Sequence, residues 1–155
     1  MNPLVVSSMA AALAALLALG CGGSTPSEEP NSPGAAAEPA SFAEQVSLGQ
    51  TLFAEHCAHC HGSSGQGGDG PRLVGLEQGA LPLDPPPSAT LRRTQFKTVA
   101  DVATFVVANM PPDEPGSLSG EEYYSVLAFD LSANGIALDA KLDAALAATL
   151  EIPRK

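Results

Sequence analysis

Tryptophan is missing from this chain of 155 residues, and it has only two tyrosines and five phenylalanines. A domain so poor in aromatic side chains buries little area per residue. Cationic residues are also scarce, with 7 Lys and Arg against 17 Asp and Glu and a formal net charge of −10. No basic patch is available to neutralise phosphates, so nucleic acid is excluded as a partner. Long apolar runs are lacking too. Leu4 to Leu19, broken only by Ser7 and Ser8, is about sixteen residues and falls short of the roughly 18 of a spanning helix. Finally, no cysteine follows Cys60 and no histidine follows His61. A closed four-ligand zinc site therefore has no second half to draw on. The length leaves room for one domain with appendages.

What the chain does have is Cys57-Ala58-His59-Cys60-His61. Two thiols two residues apart with a histidine immediately after make the C-x-x-C-H signature of covalent haem attachment. Each cysteine can add to one porphyrin vinyl group as a thioether, and the short turn between them presses His61 against one face of the iron. A redox pair would want strands around it, and these flanks read helical. His56 and His59 read as exposed bystanders. One haem would also supply the apolar bulk that the composition lacks.

The N-terminal stretch reads as an address. Residues 1–20 have the length and small-residue end of a secretory signal peptide, although no Lys or Arg precedes Cys21. Ala18-Leu19-Gly20-Cys21 resembles the lipobox of bacterial lipoproteins, which implies an acylated Cys21, the periplasmic side of the cell envelope and a membrane anchor. A soluble secreted protein with an incidental cysteine is the alternative. Residues 21–40, rich in Gly, Ser, Pro and Glu, read as a disordered tether.

A domain over 41–135 begins with Ser41 as a helix cap. Phe42, Val46, Gly49, Phe53 and Cys57 recur at helical spacing on one face. The run from Gly49 through Phe53 to the haem motif and Gly62 resembles the N-terminal helix of class I cytochromes c. Leu118 to Leu131 resembles that family's C-terminal helix. The resemblance implies an all-α cytochrome c fold, with three core helices plus a C-terminal helix around one covalently bound haem c. It implies that Gly49 allows a close helix crossing, with Phe53 and Phe129 packed there. It also implies that Pro71 offers its carbonyl to the free N–H of the axial His61. Leu73, Val74 and Leu76 are expected to line the pocket; Arg72 either reaches a propionate or is an ordinary exposed loop arginine.

Residues 80–90, with Pro82, Pro85, Pro86 and Pro87, read as an extended loop at the rim of the crevice. Thr98 with Asp101 makes a capping box for a helix through Ala108, and Ser119 with Glu122 makes another for a helix to Ala133 that stops at Asn134-Gly135. Between them Pro111 holds Met110 off helical geometry. Class I cytochromes c carry a distal methionine in such a Met-Pro-Pro setting, so the resemblance makes Met110 the second axial ligand. Beyond the domain, 136–155 reads as a helical extension, with Asp139 capping a helix from Leu138 to Leu150 that packs on the outside or on a partner.

An iron held by His61 and Met110 has no open position, so the expected job is single-electron transfer rather than catalysis. The expected partners are a respiratory complex or a periplasmic dehydrogenase, plus the membrane through the anchor. The alternatives are a tightly bound cytochrome subunit of a periplasmic dehydrogenase, and a haem sensor or small-ligand binder if Met110 does not ligate.

Overall fold

Ser41 opens the first helix, α1 (Phe42–His56), by accepting the Glu44 N–H on its side chain at 3.3 Å. Glu44 Oε2 reaches back to the Ala40 N–H at 2.7 Å. This reciprocal arrangement satisfies donors that a helix start otherwise leaves unpaired. A single turn, α2 (Ala58–His61), follows at once, then α3 (Val99–Asn109), α4 (Gly120–Ala133) and α5 (Ala144–Thr149). The structure, a computed structural model, describes residues 37–75, 80, 83–85, 87 and 89–153. The signal-peptide stretch, Cys21, the tether up to residue 36 and Leu76 lie outside the described residues. The fold is all-α. Among the described residues the one extended pairing is an isolated antiparallel bridge between Thr98 and Glu151.

Both capping boxes form as the sequence predicts, at Thr98 with Asp101 and at Ser119 with Glu122. Hydrogen bonds from Thr98 and Lys97 backbone N–H groups hold the Asp101 carboxylate below its usual range. Ser119 does the same for Glu122.

The main helix pair is α1 on α4, and its contact point is Gly49. A Cβ there would lie 1.8 Å from the Ser125 carbonyl oxygen and 2.4 Å from its carbonyl carbon. Two backbones therefore touch where any side chain would hold them apart. Phe53 packs against Phe129 with centroids 5.1 Å apart, as expected. Gly49, however, meets the backbone of Ser125 and Val126 rather than the Phe129 ring.

Gln45, one turn before Gly49, is fully buried. Its Nε2 donates to the Leu142 carbonyl at 2.8 Å and to Glu121 Oε1 at 3.0 Å, and its Oε1 accepts the Leu142 N–H at 2.7 Å. This contact overturns the expected helix from Leu138 to Leu150. Leu142's backbone groups are taken by a side chain on α1, so the helix starts later, capped by Asp143 rather than Asp139, and spans only Ala144–Thr149. Nor does the segment sit on the outside. Leu142, Ala147 and Ile152 are core residues alongside Phe42, Leu127 and Leu131. Ile152 N–H to Lys97 O at 2.9 Å and Val99 N–H to Leu150 O at 3.0 Å tie it to the start of α3.

The core is divided. One cluster gathers on Phe96, Val99, Leu127 and Leu142, and a smaller one on Leu52, Phe53 and Val126. Both contribute walls to the cleft described next.

Replacing Gly49 by Ala is expected to cost about 3 kcal/mol, because the added carbon meets rigid backbone rather than a side chain that can rotate away. Denaturant unfolding of the purified protein checks this; a loss under 1 kcal/mol would mean that the two helices separate freely.

Candidate functional site

Helix α1 ends where Cys57 turns the chain, with its N–H still bonded to Phe53 O at 2.9 Å. The Cys60 and His61 N–H groups both bond to Cys57 O, at 3.2 and 3.0 Å. One tight turn thus sets Cys57, Cys60 and His61 on the same cleft wall. The loop after it folds back, with Gly70 N–H on Cys60 O at 2.8 Å and Gly67 N–H on His61 O at 2.7 Å. Gly70 lies against the His61 ring so closely that a Cβ would sit 2.8 Å from Cε1. That contact confines the ring from one side. From another, Nδ1 is 2.8 Å from the Pro71 carbonyl oxygen. A carbonyl can only accept, so Nδ1 carries the proton and Nε2 is left with a free lone pair, the atom that a metal would take.

Met110 borders the same cleft. It closes α3 with its N–H on Val106 O at 2.8 Å, in extended backbone with φ −126° and ψ 143°, as its neighbour Pro111 demands. Tyr123 fixes it further, its buried hydroxyl donating to the Met110 carbonyl at 2.7 Å and accepting from Gly116 N–H at 3.0 Å. The sequence shows Tyr123 on α4 but gives no sign of this tie.

The cleft measures about 620 Å³, and Phe53, Phe105, Val106 and Leu127 are among its apolar walls. It fits a flat apolar macrocycle in size and lining. Leu73 borders it as expected, whereas Val74 packs against the Gly65 turn. Arg72 does not border the cleft; its Nη1 donates to Val74 O at 3.3 Å. Among the described residues Arg92 is the arginine that borders the cleft, its guanidinium 4.2 Å above the Phe96 ring. Among the described residues of the proline-rich loop, Ala89 and Thr90 border the cleft. His56 and His59, expected as bystanders, both border the cleft; His59 is exposed, with Nε2 3.2 Å from Cys60 Sγ, and His56 is half-buried.

Burial pushes the Cys57 thiol up to about 11, with further upward pressure first from Asp130 and then from Cys60. A redox-active pair needs the opposite, a thiol lowered toward the thiolate. Among the described residues no group of three or more His, Cys, Asp or Glu side chains is placed to hold a metal ion.

Residues 44–129 match the family of cytochrome c oxidase, cbb3-type, subunit III. The chain belongs to that family. It is a c-type cytochrome, an electron-carrying haem protein with covalently attached haem c and the cytochrome c fold. Among solved structures this cytochrome is similar to a chain of the sulfane dehydrogenase SoxCD from Paracoccus pantotrophus, at 32% identity and a TM-score of 0.53. The match covers 70% of this cytochrome and 53% of that chain, so the cytochrome spans about half the length of its structural neighbour. No curated protein matches it.

Asp130 is the feature of the site that sequence reading passed over. It borders the cleft, and its Oδ1 is buried without a hydrogen-bond partner. Burial pushes the carboxyl up to about 7. The signal was present. Asp130 falls four residues after Val126 and three after Leu127, inside the apolar stripe of α4.

A carboxyl raised in the folded state holds a proton that the unfolded chain has already released. Stability should therefore fall as pH rises from about 4 to about 7 and level off above, by up to about 4 kcal/mol. Asp130→Asn should remove that slope, read by denaturant unfolding at pH 4.5 and 8.

Proposed function

We propose that this cytochrome carries single electrons in the bacterial cell envelope, with Cys57 and Cys60 placed to hold one haem c and with His61 and Met110 as the two side chains that would ligate its iron. The observation that carries this reading is that all four side chains border one apolar cleft, with His61 Nδ1 bonded to the Pro71 carbonyl. When bound, haem c supplies an iron that exchanges one electron at a time. The chain's own residues do the rest. Cys57 and Cys60 hold the group at α2. Pro71 and Gly70 orient the His61 ring, and the Pro71 oxygen raises its basicity. Met110, its carbonyl held by Tyr123, would be the second ligand of the iron, which would leave no position for oxygen or peroxide and makes electron transfer rather than catalysis the task. The apolar walls from Phe105, Val106 and Leu127 exclude water, which favours the less charged reduced state.

Cys21 serves as the acylated anchor of a lipoprotein, and the residues up to 40 serve as its tether, with the domain on the periplasmic side. The partners are redox proteins, either a respiratory complex or a periplasmic dehydrogenase. A second reading, a subunit held within a periplasmic dehydrogenase, is favoured by the similarity to the sulfane dehydrogenase chain, about half of which this cytochrome covers.

Two substitutions test these assignments. The native ferric protein should show the charge-transfer band of methionine-ligated haem, and the ferrous protein should refuse carbon monoxide. Met110→Ala should lose the band, bind carbon monoxide and show a lower potential. A native protein that already lacks the band and takes up carbon monoxide would instead be a small-ligand binder or sensor. Separately, Cys21→Ser should move the cytochrome from the membrane fraction to the soluble fraction of broken cells; unchanged fractionation would remove the lipid anchor.

A further inference from the structure

Beyond the ligands, the cleft contains an acid that electron transfer alone does not need. Asp130 stands beside the buried Val126, Leu127 and Leu131 of α4 and is itself half-buried, with its Oδ1 enclosed. Its Oδ1 has no partner, which is unusual for a buried carboxylate oxygen. Asp130 also borders a second, smaller void of about 30 Å³ with Asn134, room for a single water. Among the described residues it is the one titratable side chain that borders both spaces.

We propose that Asp130 is the proton-accepting group of this cytochrome, taking up one proton from solvent when the haem iron is reduced and releasing it when the iron is oxidised. The inference rests on haem occupying the cleft. The step balances simply: one electron arrives from a one-electron donor protein, one proton from water reaches an Asp130 oxygen, and both leave on oxidation. The physical reason is charge. Removing one positive charge from the iron would leave a carboxylate on the cleft wall less compensated, and with Oδ1 enclosed and without a hydrogen-bond partner, protonation is the relief open to it. Its ordinary range is already displaced upward by burial, to where neutral pH can decide its state.

The groups that share the cleft with Asp130 limit the alternatives. His56 and Cys57 come from the end of α1, His59, Cys60 and His61 from α2, Asp69 from the following loop and Arg92 from the segment before α3. Among the described residues, helix α3 and the C-terminal segment present no titratable group to either space. Once haem is attached, Cys57 and Cys60 are thioethers and His61 is a ligand, so none of the three exchanges a proton near neutral pH. His56 and His59 remain as competing acid–base groups, together with the haem propionates.

The test is the midpoint potential of the purified, haem-loaded cytochrome from pH 5 to pH 9, read by its visible spectrum. In the native protein the potential should fall as pH rises, because protons favour the reduced state. If the two oxidation states differ tenfold in proton affinity, the total fall is about 59 mV. Asp130→Asn and Asp130→Leu should both abolish the fall, and His56→Gln with His59→Gln should leave it intact. Asp130→Leu keeps the experiment decisive if the amide variant folds poorly, since leucine suits the apolar stripe. Reduced-minus-oxidised infrared spectra of the native protein at pH 7 should show a protonated carboxyl band that Asp130→Asn removes. A pH-independent native potential, a fall that survives both Asp130 variants, or a fall lost with the histidines would each overturn the proposal. Failure of the haem reading is seen separately, as a protein without covalent haem on a stained gel, and would remove the proposal with it.

Discussion

The backbone contact between Gly49 and Ser125 is the constraint on which the rest of this cytochrome depends. Helices normally pack 8–10 Å apart, separated by side chains. Here a carbonyl oxygen occupies the space where a Cβ would be, so α1 and α4 can meet in one register only. That register sets the site. Eight residues beyond Gly49, α1 delivers Cys57 to the cleft, and five residues beyond Ser125, α4 delivers Asp130 to it. Val126 and Leu127 between them wall the same space from the two halves of the core. A helix interior glycine costs about 1 kcal/mol of helix propensity, and the crossing gives that cost a structural use.

A divided core follows from the composition. With no tryptophan and few other aromatic residues, the chain cannot fill its own centre. The apolar clusters stand on either side of a cleft that a cofactor completes. The chain compensates at its periphery with polar clamps. Gln45 fastens the C-terminal segment through both backbone groups of Leu142, and Tyr123 fastens Met110 through its carbonyl. Both clamps join residues far apart in sequence or in different elements, and both leave no buried donor unmatched at the contact.

The electrostatics of the cleft run in one direction. Both Cys57 and Asp130 are pushed toward their neutral forms by burial, and Asp130 adds to the effect on Cys57. A site that disfavours charge around itself favours the less charged state of whatever it encloses. Such an interior suits a carrier of electrons.

Much of this was legible locally. Caps at Ser41, Thr98 and Ser119, the stop at Asn134-Gly135 and the break before Pro111 each rest on short-range hydrogen bonding or sterics, and the helices α1, α3 and α4 lie where those signals put them. The Cys57–His61 spacing named the cofactor for the same reason, since five consecutive residues contain the whole turn. Reading failed where a distant partner overrides a local preference. Leucines at 142, 146 and 150 have helical spacing, yet Gln45, 97 residues away from Leu142, takes the backbone bonds that a longer helix would use. Arg92 rather than Arg72 reaches the cleft, because the loop carrying Arg72 turns its guanidinium onto Val74. The positions of α1, α3 and α4 and the attachment motif follow from interactions within a few residues, and sequence alone determined them. The environment of Asp130, the clamp on Met110 and the course of the C-terminal segment depend on contacts between elements, and only the tertiary structure decided them.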